Sequence, residues 1–404
     1  MMQALSPWLR AVAALAMAAL LCLADAARRE EIAPASAQKS VALKAQALPL
    51  GSGNSALDNG HWEPVARGQI PMPPGVPAAH ASALLALPAN HPSSMLAFWF
   101  AGDRESAPNV QIAMSALDRA SGVWSPARMV VDRWQVAEQL GFGIRRLGNP
   151  IAWLDGQGQV HLFVVATGLG GWAAGRVVHL RQAKPKESLA WTWDAVGLLP
   201  LSWLWNTSYL VRTAPLPLAD GGMVIPAYFE LAHKYPVAVR LSAQGALLGM
   251  VPISSLGRRL QPSLLAIGER DWLALMRDSG PDAKIRMART RDGGQHWADT
   301  GDLPLDNPNS SVATLSVGGQ HLLVYNPQKS GRNRLRLASS LNGEAWRTVA
   351  DLEDGPDGHE YSYPAMALVD DQLWVSYTDQ RRSIAWQRFA WVGESPPVPV
   401  KGAP

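Results

Sequence analysis

The chain has 404 residues, 36 of them Lys or Arg and 33 Asp or Glu, for a formal net charge of +3. That mild surplus permits an anionic ligand, and with no run of basic residues it offers no electrostatic footprint for nucleic acid. The single cysteine, Cys22, excludes a disulfide framework.

Near the start, Arg10 precedes the apolar run Ala11 to Leu23, which ends at Ala24-Asp25-Ala26. A positive residue, about 7–15 apolar residues and an Ala-x-Ala site predict a secretory signal peptide over residues 1–26. The run is shorter than the ~20 residues a bilayer crossing needs, so no membrane span is expected after cleavage. Ala19-Leu20-Leu21 matches a lipobox poorly ahead of Cys22, and cleavage near Ala26 would remove that cysteine. The expected location is periplasmic or secreted. Residues 27–77 are rich in Ala, Pro, Gly and Ser and read as a partly flexible lead, with Trp62 suggesting that some of it docks on the body. The body, 78–392, contains no internal linker and reads as one domain. A Pro-rich tail, 393–404, follows.

Along the body one phrase recurs six times: a turn, a short apolar strand, then a polar or charged residue. The strands begin at Met95, Val160, Met223, Leu273, His321 and Leu373, so the steps are 65, 63, 50, 48 and 52 residues. Asp-Gly, Gly-Gly and Asp-Asp pairs between strands supply the positive φ angles of tight hairpins, and no long 3.6-residue period predicts a substantial helix. Strand repeats of roughly 40–50 residues predict an all-β fold, a six-bladed β-propeller. Six equivalent strand ends would gather Arg104, Glu230, Arg277, Tyr325 and Thr378 at one rim.

A second repeat runs in register with the first. Thr290-x-Asp292-x-Gly294-x-x-Trp297 fits the Asp-box pattern, in which Asp caps a turn, Gly takes its special backbone angle and Trp anchors it. Ser339-x-Leu341-x-Gly343-x-x-Trp346 reads as a copy that has lost its Asp, and Ser115 to Trp124 as a looser third. These boxes are expected to hold turns, with no catalytic part.

The segments His80-Ala-Ser, FWFAGDRESAPNV, LGNPIAW, VIPAYFE, LQPSLL, LALMRD, NPNSSVATL, LLVYN and EYSYPAMALVDDQLWVSYT extend over residues 78–389. In them the chain resembles the sialidase (neuraminidase) superfamily, and within it the bacterial BNR-repeat proteins called predicted neuraminidases. The resemblance implies a six-bladed propeller and hydrolysis of a terminal sialic acid. In that family three arginines grip the substrate carboxylate, a tyrosine paired with a glutamate is the nucleophile, and an aspartate is the acid/base. Guanidinium binds carboxylate bidentately at any working pH, and a neutral tyrosine avoids the repulsion a carboxylate nucleophile would meet.

Carried onto this chain, the resemblance places the second arginine at Arg277, the third at Arg332 and the nucleophile at Tyr361. Three positions depart from it: His80 stands at the first arginine, Asn109 at the acid/base aspartate and Gln261 at the activating glutamate. His80, Glu230 or Glu105 could then carry protons, and Glu230 could equally pair with an arginine. Arg104, Glu105, Asn109, Gln261, Tyr325 and Asn326 complete the expected substrate-binding set, although Arg104 and Glu105 also read as an internal ion pair. Tyr363, before Pro364, reads as an inner-strand packing aromatic. Trp134, Trp172, Trp203 and Trp205 could stack on sugar rings. The nine histidines lack metal-ligand spacing, so neither metal nor cofactor is expected. The leading expectation is an exported glycosidase that removes a terminal acidic sugar, sialic acid or uronate-type, from a glycan or polysaccharide. The alternatives are a glycan-binding propeller that has lost its hydrolytic carboxylates and a purely structural propeller.

Overall fold

A computed structural model describes residues 7–32, 41–43, 60–183, 191–202 and 206–393. The local logic of one repeat is visible at Asp155. Its side chain accepts hydrogen bonds from the backbone of Gln157 and Gln159, both at 2.8 Å, and so closes the turn. The next strand, Val160–Thr167, is buried along its whole length because neighbouring blades cover both of its faces. All six strand starts read from the sequence fall on the second strand of a blade, at Ser93–Gly102, Val160–Thr167, Met223–Phe229, Trp272–Asp278, Gln320–Tyr325 and Gln372–Asp379.

Six antiparallel sheets, each built on four strands, follow one another around a ring, with a two-residue extra strand, Leu216–Pro217, in the third. The innermost strands are Ala78–Ala86, Arg146–Leu154, Tyr209–Val211, Arg259–Ala266, Ala313–Val317 and Tyr361–Val369, and each blade packs on the next around the ring. The chain is therefore a six-bladed β-propeller. The two long steps have a simple cause: the helix Arg133–Leu140, the 3₁₀ turn Gly171–Ala174 and long connections lie within and between blades 1 and 2.

The ring begins earlier than residue 78. His61–Ile70 pairs antiparallel with Ser383–Val392 as the outer strand of blade 6, so the two ends of the body close one sheet. Trp62 packs at 5.4 Å against Trp391 and donates its indole N–H to Gln320 at 2.8 Å, which locks this strand onto blade 5. The helix Pro7–Ile32 contains the apolar run of the expected signal peptide. Among the described residues no helix is long and apolar enough to cross a membrane.

The Asp boxes hold turns as their chemistry requires. Asp292 accepts from the backbone of Gln295 and His296, and Gly294, at φ +87°, lies where a Cβ would meet the Trp272 ring at 2.9 Å. The second box is set one residue later than the sequence suggests. Ser340 and Asn342, not Ser339 and Leu341, form it, and Asn342 Oδ1 caps the backbone of Glu344 and Ala345. The acceptor is retained as an amide, and Leu341 is exposed.

Candidate functional site at the axis of the propeller

Four inner strands carry the same bulge, between His80 and Ala83, Gly148 and Ile151, Leu260 and Ser263, and Ser362 and Ala365. At each bulge a non-glycine residue takes positive φ: Ala81 (55°), Asn149 (45°), Gln261 (49°) and Tyr363 (54°). In three of the four a proline follows, Pro150, Pro262 or Pro364, which has no N–H to leave unpaired where the ladder breaks. A bulge re-aims side chains, and its repetition around the ring turns these residues out of the sheets.

Blade 6 contributes Tyr363 to the centre. Its ring packs edge-on to His80 at 4.3 Å, and its hydroxyl lies 3.4 Å from Arg277 Nη1. The Arg332 guanidinium stands 5.8 Å from the ring centre and that of Arg212 5.2 Å. Burial opposes ionisation of the phenol, yet Arg277 and Arg332 outweigh it and draw Tyr363 below the ordinary tyrosine value. Burial pushes Tyr228, Tyr325, Tyr361 and Tyr377 the other way, upward.

The cations around Tyr363 differ in how they are matched. Arg277 donates through Nε to Asn309 Oδ1 at 2.7 Å and through Nη1 to Gln261 Oε1 at 3.0 Å, and it has no carboxylate partner among the described residues. Arg332 bonds Glu360 at 3.1 Å and the Asn309 carbonyl at 3.1 Å. Arg381 bridges Glu360 and Glu105, joining blade 6 to the loop that follows the second strand of blade 1. Burial alone would raise Glu360, but bonds from Arg381 and Ser362 and the charge of Arg332 hold it down to about 2. Gln261 also donates to the Tyr228 hydroxyl at 3.2 Å, so its amide links a cation to a phenol.

His80 is buried, and neither ring nitrogen has a partner among the described residues. Burial lowers its pKa to about 3, so the ring is neutral at any working pH and does not replace the cation that the resemblance expects there. It lines a small cleft between blades 1 and 6 together with Phe100, Arg104, Glu105 and Arg381.

Other expected site residues lie elsewhere. Tyr361 turns its hydroxyl toward His359, at 3.4 Å, and packs its ring toward Tyr377. Tyr325 sits in the core between blades 4 and 5 with Leu275 and Leu323. Asn326 is buried and donates to the carbonyls of Arg334 and Tyr361, tying down the start of the blade 6 inner strand. Glu230, at the rim of blade 3, pairs with Lys234 at 2.8 Å. Asn109 is exposed and accepts from the Asp103 backbone at 3.3 Å, closing its own loop. Trp134 is exposed beneath the Arg133 guanidinium, while Trp172 packs toward Phe100 and donates to Ser106. Trp203 and Trp205 lie outside the described residues.

Buried histidines give the fold a pH dependence. Burial lowers His80 and His179 to about 3 and His321 to about 4. In the unfolded chain each takes up its proton near pH 6.5, so below that value the unfolded state binds more protons and stability falls with pH. The loss accumulates until the native rings protonate, near pH 3–4. Thermal melting between pH 7 and pH 5 is expected to show a steady fall in Tm; a flat or rising series would contradict these placements.

A search of curated proteins returns no match. Among solved structures, a sialidase of Trypanosoma rangeli in complex with the inhibitor DANA superposes with a TM-score of 0.61 at 12% identity, over 81% of this chain and 59% of that one. This chain thus spans about three fifths of that sialidase. The NanB sialidase of Streptococcus pneumoniae gives 0.59 at 11%, over 80% and 70%. A protein of unknown function from Dyadobacter fermentans gives 0.63 at 13%, over 81% and 99%. These likenesses establish the sialidase-type propeller as a fold. A model of the BNR repeat-like domain matches residues 93–375, more than half the chain, and the protein belongs to that family.

Proposed function

We propose that this protein is an exported, sialidase-type glycosidase that removes a terminal acidic sugar from a glycan, with Tyr363 as its nucleophile. The observation that carries the reading is a half-buried phenol, held against Arg277 and drawn toward its ionised form by Arg277 and Arg332. A phenolate at this point attacks an anomeric carbon as the glycosidic C–O bond breaks and the leaving oxygen takes up a proton. Water then hydrolyses the glycosyl–tyrosine, and the neighbouring guanidiniums hold the substrate carboxylate. Arg277 Nη1 lies within 3.4 Å of the attacking oxygen, so a carboxylate bound there sits beside the attacked carbon. That favours a sugar whose carboxylate is carried on the anomeric carbon, as in sialic acid, over a uronate, whose carboxylate is on C5, beyond the ring oxygen. Glu105, which lines the same cleft as His80, is the carboxylate we assign to proton exchange with the leaving group. The segment 1–26 serves as the signal peptide, which puts the enzyme in the periplasm or outside the cell.

A second reading is a propeller that binds the same sugar without cleaving it. The amide of Gln261, at the position where the family has its activating carboxylate, favours this, as does the engagement of both Glu105 and Glu360 by Arg381. A panel of aryl glycosides decides between them. Turnover of an aryl sialoside, with an aryl uronide left intact, is the expected result. Calorimetric binding of a free acidic sugar without turnover of any glycoside would replace the first reading with the second.

A further inference from the structure

One buried cation at the axis has no part in the reading above. Arg212 directly follows the short inner strand of blade 3, Tyr209–Val211, and is only 2% exposed. Blade 3 stands opposite blade 6 in the ring, and the Arg212 side chain crosses the channel between them. Its Nη1 donates to the Ser82 carbonyl of blade 1 at 3.1 Å, and its Nη2 to the carbonyls of Tyr363 and Pro364 of blade 6. Nε has no partner, and no carboxylate pairs with the group, among the described residues. A buried unpaired charge is expensive, so neutral side chains would span this gap at lower cost in stability. The arginine is nevertheless a poor candidate for solvent contact or ligand binding, because three of its donors end on backbone carbonyls.

Those carbonyls explain its place. Two of the three belong to the bulge that holds Tyr363 at φ 54°, a conformation a bulky side chain adopts only when its surroundings enforce it. The third belongs to the equivalent bulge of blade 1, beside His80, on which the tyrosine ring packs. The same guanidinium stands 5.2 Å from the centre of the Tyr363 ring. Burial lowers Arg212 itself to about 10, so it stays charged at working pH.

We propose that Arg212 is the positioning residue of this site: it pins the Tyr363 bulge from across the channel and sets an unmatched positive charge behind the ring, so that the phenol ionises readily. Gln261 stands where the family has an activating carboxylate, and on this account the charge of Arg212, with those of Arg277 and Arg332, takes over the activation. The inference rests on Tyr363 being the reactive group, but its test needs no turnover.

The test is a pH titration of phenolate absorbance, taken as the difference between each protein and its Tyr363→Phe counterpart, which isolates one of the seven tyrosines. Arg212→Gln keeps donors for the carbonyls and removes the charge; it is expected to raise the Tyr363 transition by about one pH unit or more. Arg212→Lys keeps the charge and loses the planar fork; its transition is expected to stay within about half a unit of wild type. An unmoved transition in a folded Arg212→Gln protein would overturn the inference. If that variant does not fold, Arg212→Lys decides, since a rise of a full unit with the charge retained would overturn it equally. A predicted shift in a protein that cleaves no glycoside would sink the proposed activity and leave this inference standing.

Discussion

Tyr363→Phe is expected to lower the kcat of acidic-glycoside hydrolysis by about three orders of magnitude or more, while Tyr361→Phe stays within a few-fold of wild type. The phenyl ring keeps the edge-on contact with His80 at 4.3 Å, so the variant loses the attacking oxygen and little packing. At Tyr361 the hydroxyl lies 3.4 Å from His359, and its loss costs about 1 kcal/mol, as for an ordinary hydrogen bond. Equal losses in the two variants, measured as kcat at saturating aryl sialoside, would remove Tyr363 from its assigned role. The pH profile adds a second reading of the same variant. Because the cations draw Tyr363 below its ordinary value, activity rises with pH through the Tyr363 transition, earlier than an unperturbed phenol allows.

Arg277→Gln is expected to reduce kcat/KM by about 10²- to 10³-fold, as loss of a buried charge-assisted contact of ~2–5 kcal/mol implies. Three effects act together. The substrate carboxylate loses a cation that no carboxylate matches among the described residues, the Tyr363 phenol loses a neighbouring charge that favours its ionised form, and Asn309 and Gln261 lose their shared donor. Arg332→Gln should cost less, since Glu360 already matches part of the charge of Arg332. Isothermal binding of the free acidic sugar separates these contributions. Arg277→Gln weakens binding as well as turnover, whereas Tyr363→Phe leaves binding nearly intact. Binding unaffected by Arg277→Gln would contradict the carboxylate assignment.

The architecture was legible because the second strand of every blade is buried on both faces. Six apolar runs such as VHLFVVAT, each behind a turn, therefore stand out in the sequence at nearly regular spacing. The closing strand was not legible: His61–Ile70 carries only two buried positions, at Trp62 and Ile70, and its composition resembles the lead around it. The displaced second box has a similar origin, because Asn342 supplies the same side-chain oxygen as an aspartate and the loop is one residue shorter.

The site was legible only in part. Arg277 and Arg332 do approach one centre, but the tyrosine they surround is Tyr363. Of two tyrosines separated by a serine, Tyr361 is still paired in the ladder and Tyr363 sits in the bulge, and which one turns to the axis is set by backbone conformation. A signal for it was present. Asn149-Pro150, Gln261-Pro262 and Tyr363-Pro364 occupy the same place in three blades, and the X-Pro pair marks the bulge in each. His80 could be placed from sequence and its protonation state could not, because that state follows from Phe100 and Tyr363 closing over the ring. Arg212 had no motif at all, since its partners are three backbone carbonyls brought in from distant blades.

The most direct test of the central claim is mass spectrometry of the protein after reaction with a fluorinated sialosyl donor that forms but slowly releases a glycosyl–enzyme. The account predicts one added sugar per chain, carried on the peptide containing Tyr363 and absent from Tyr363→Phe. A label on Tyr361 or any other residue, or an unmodified chain under conditions where the sugar is bound, would contradict it.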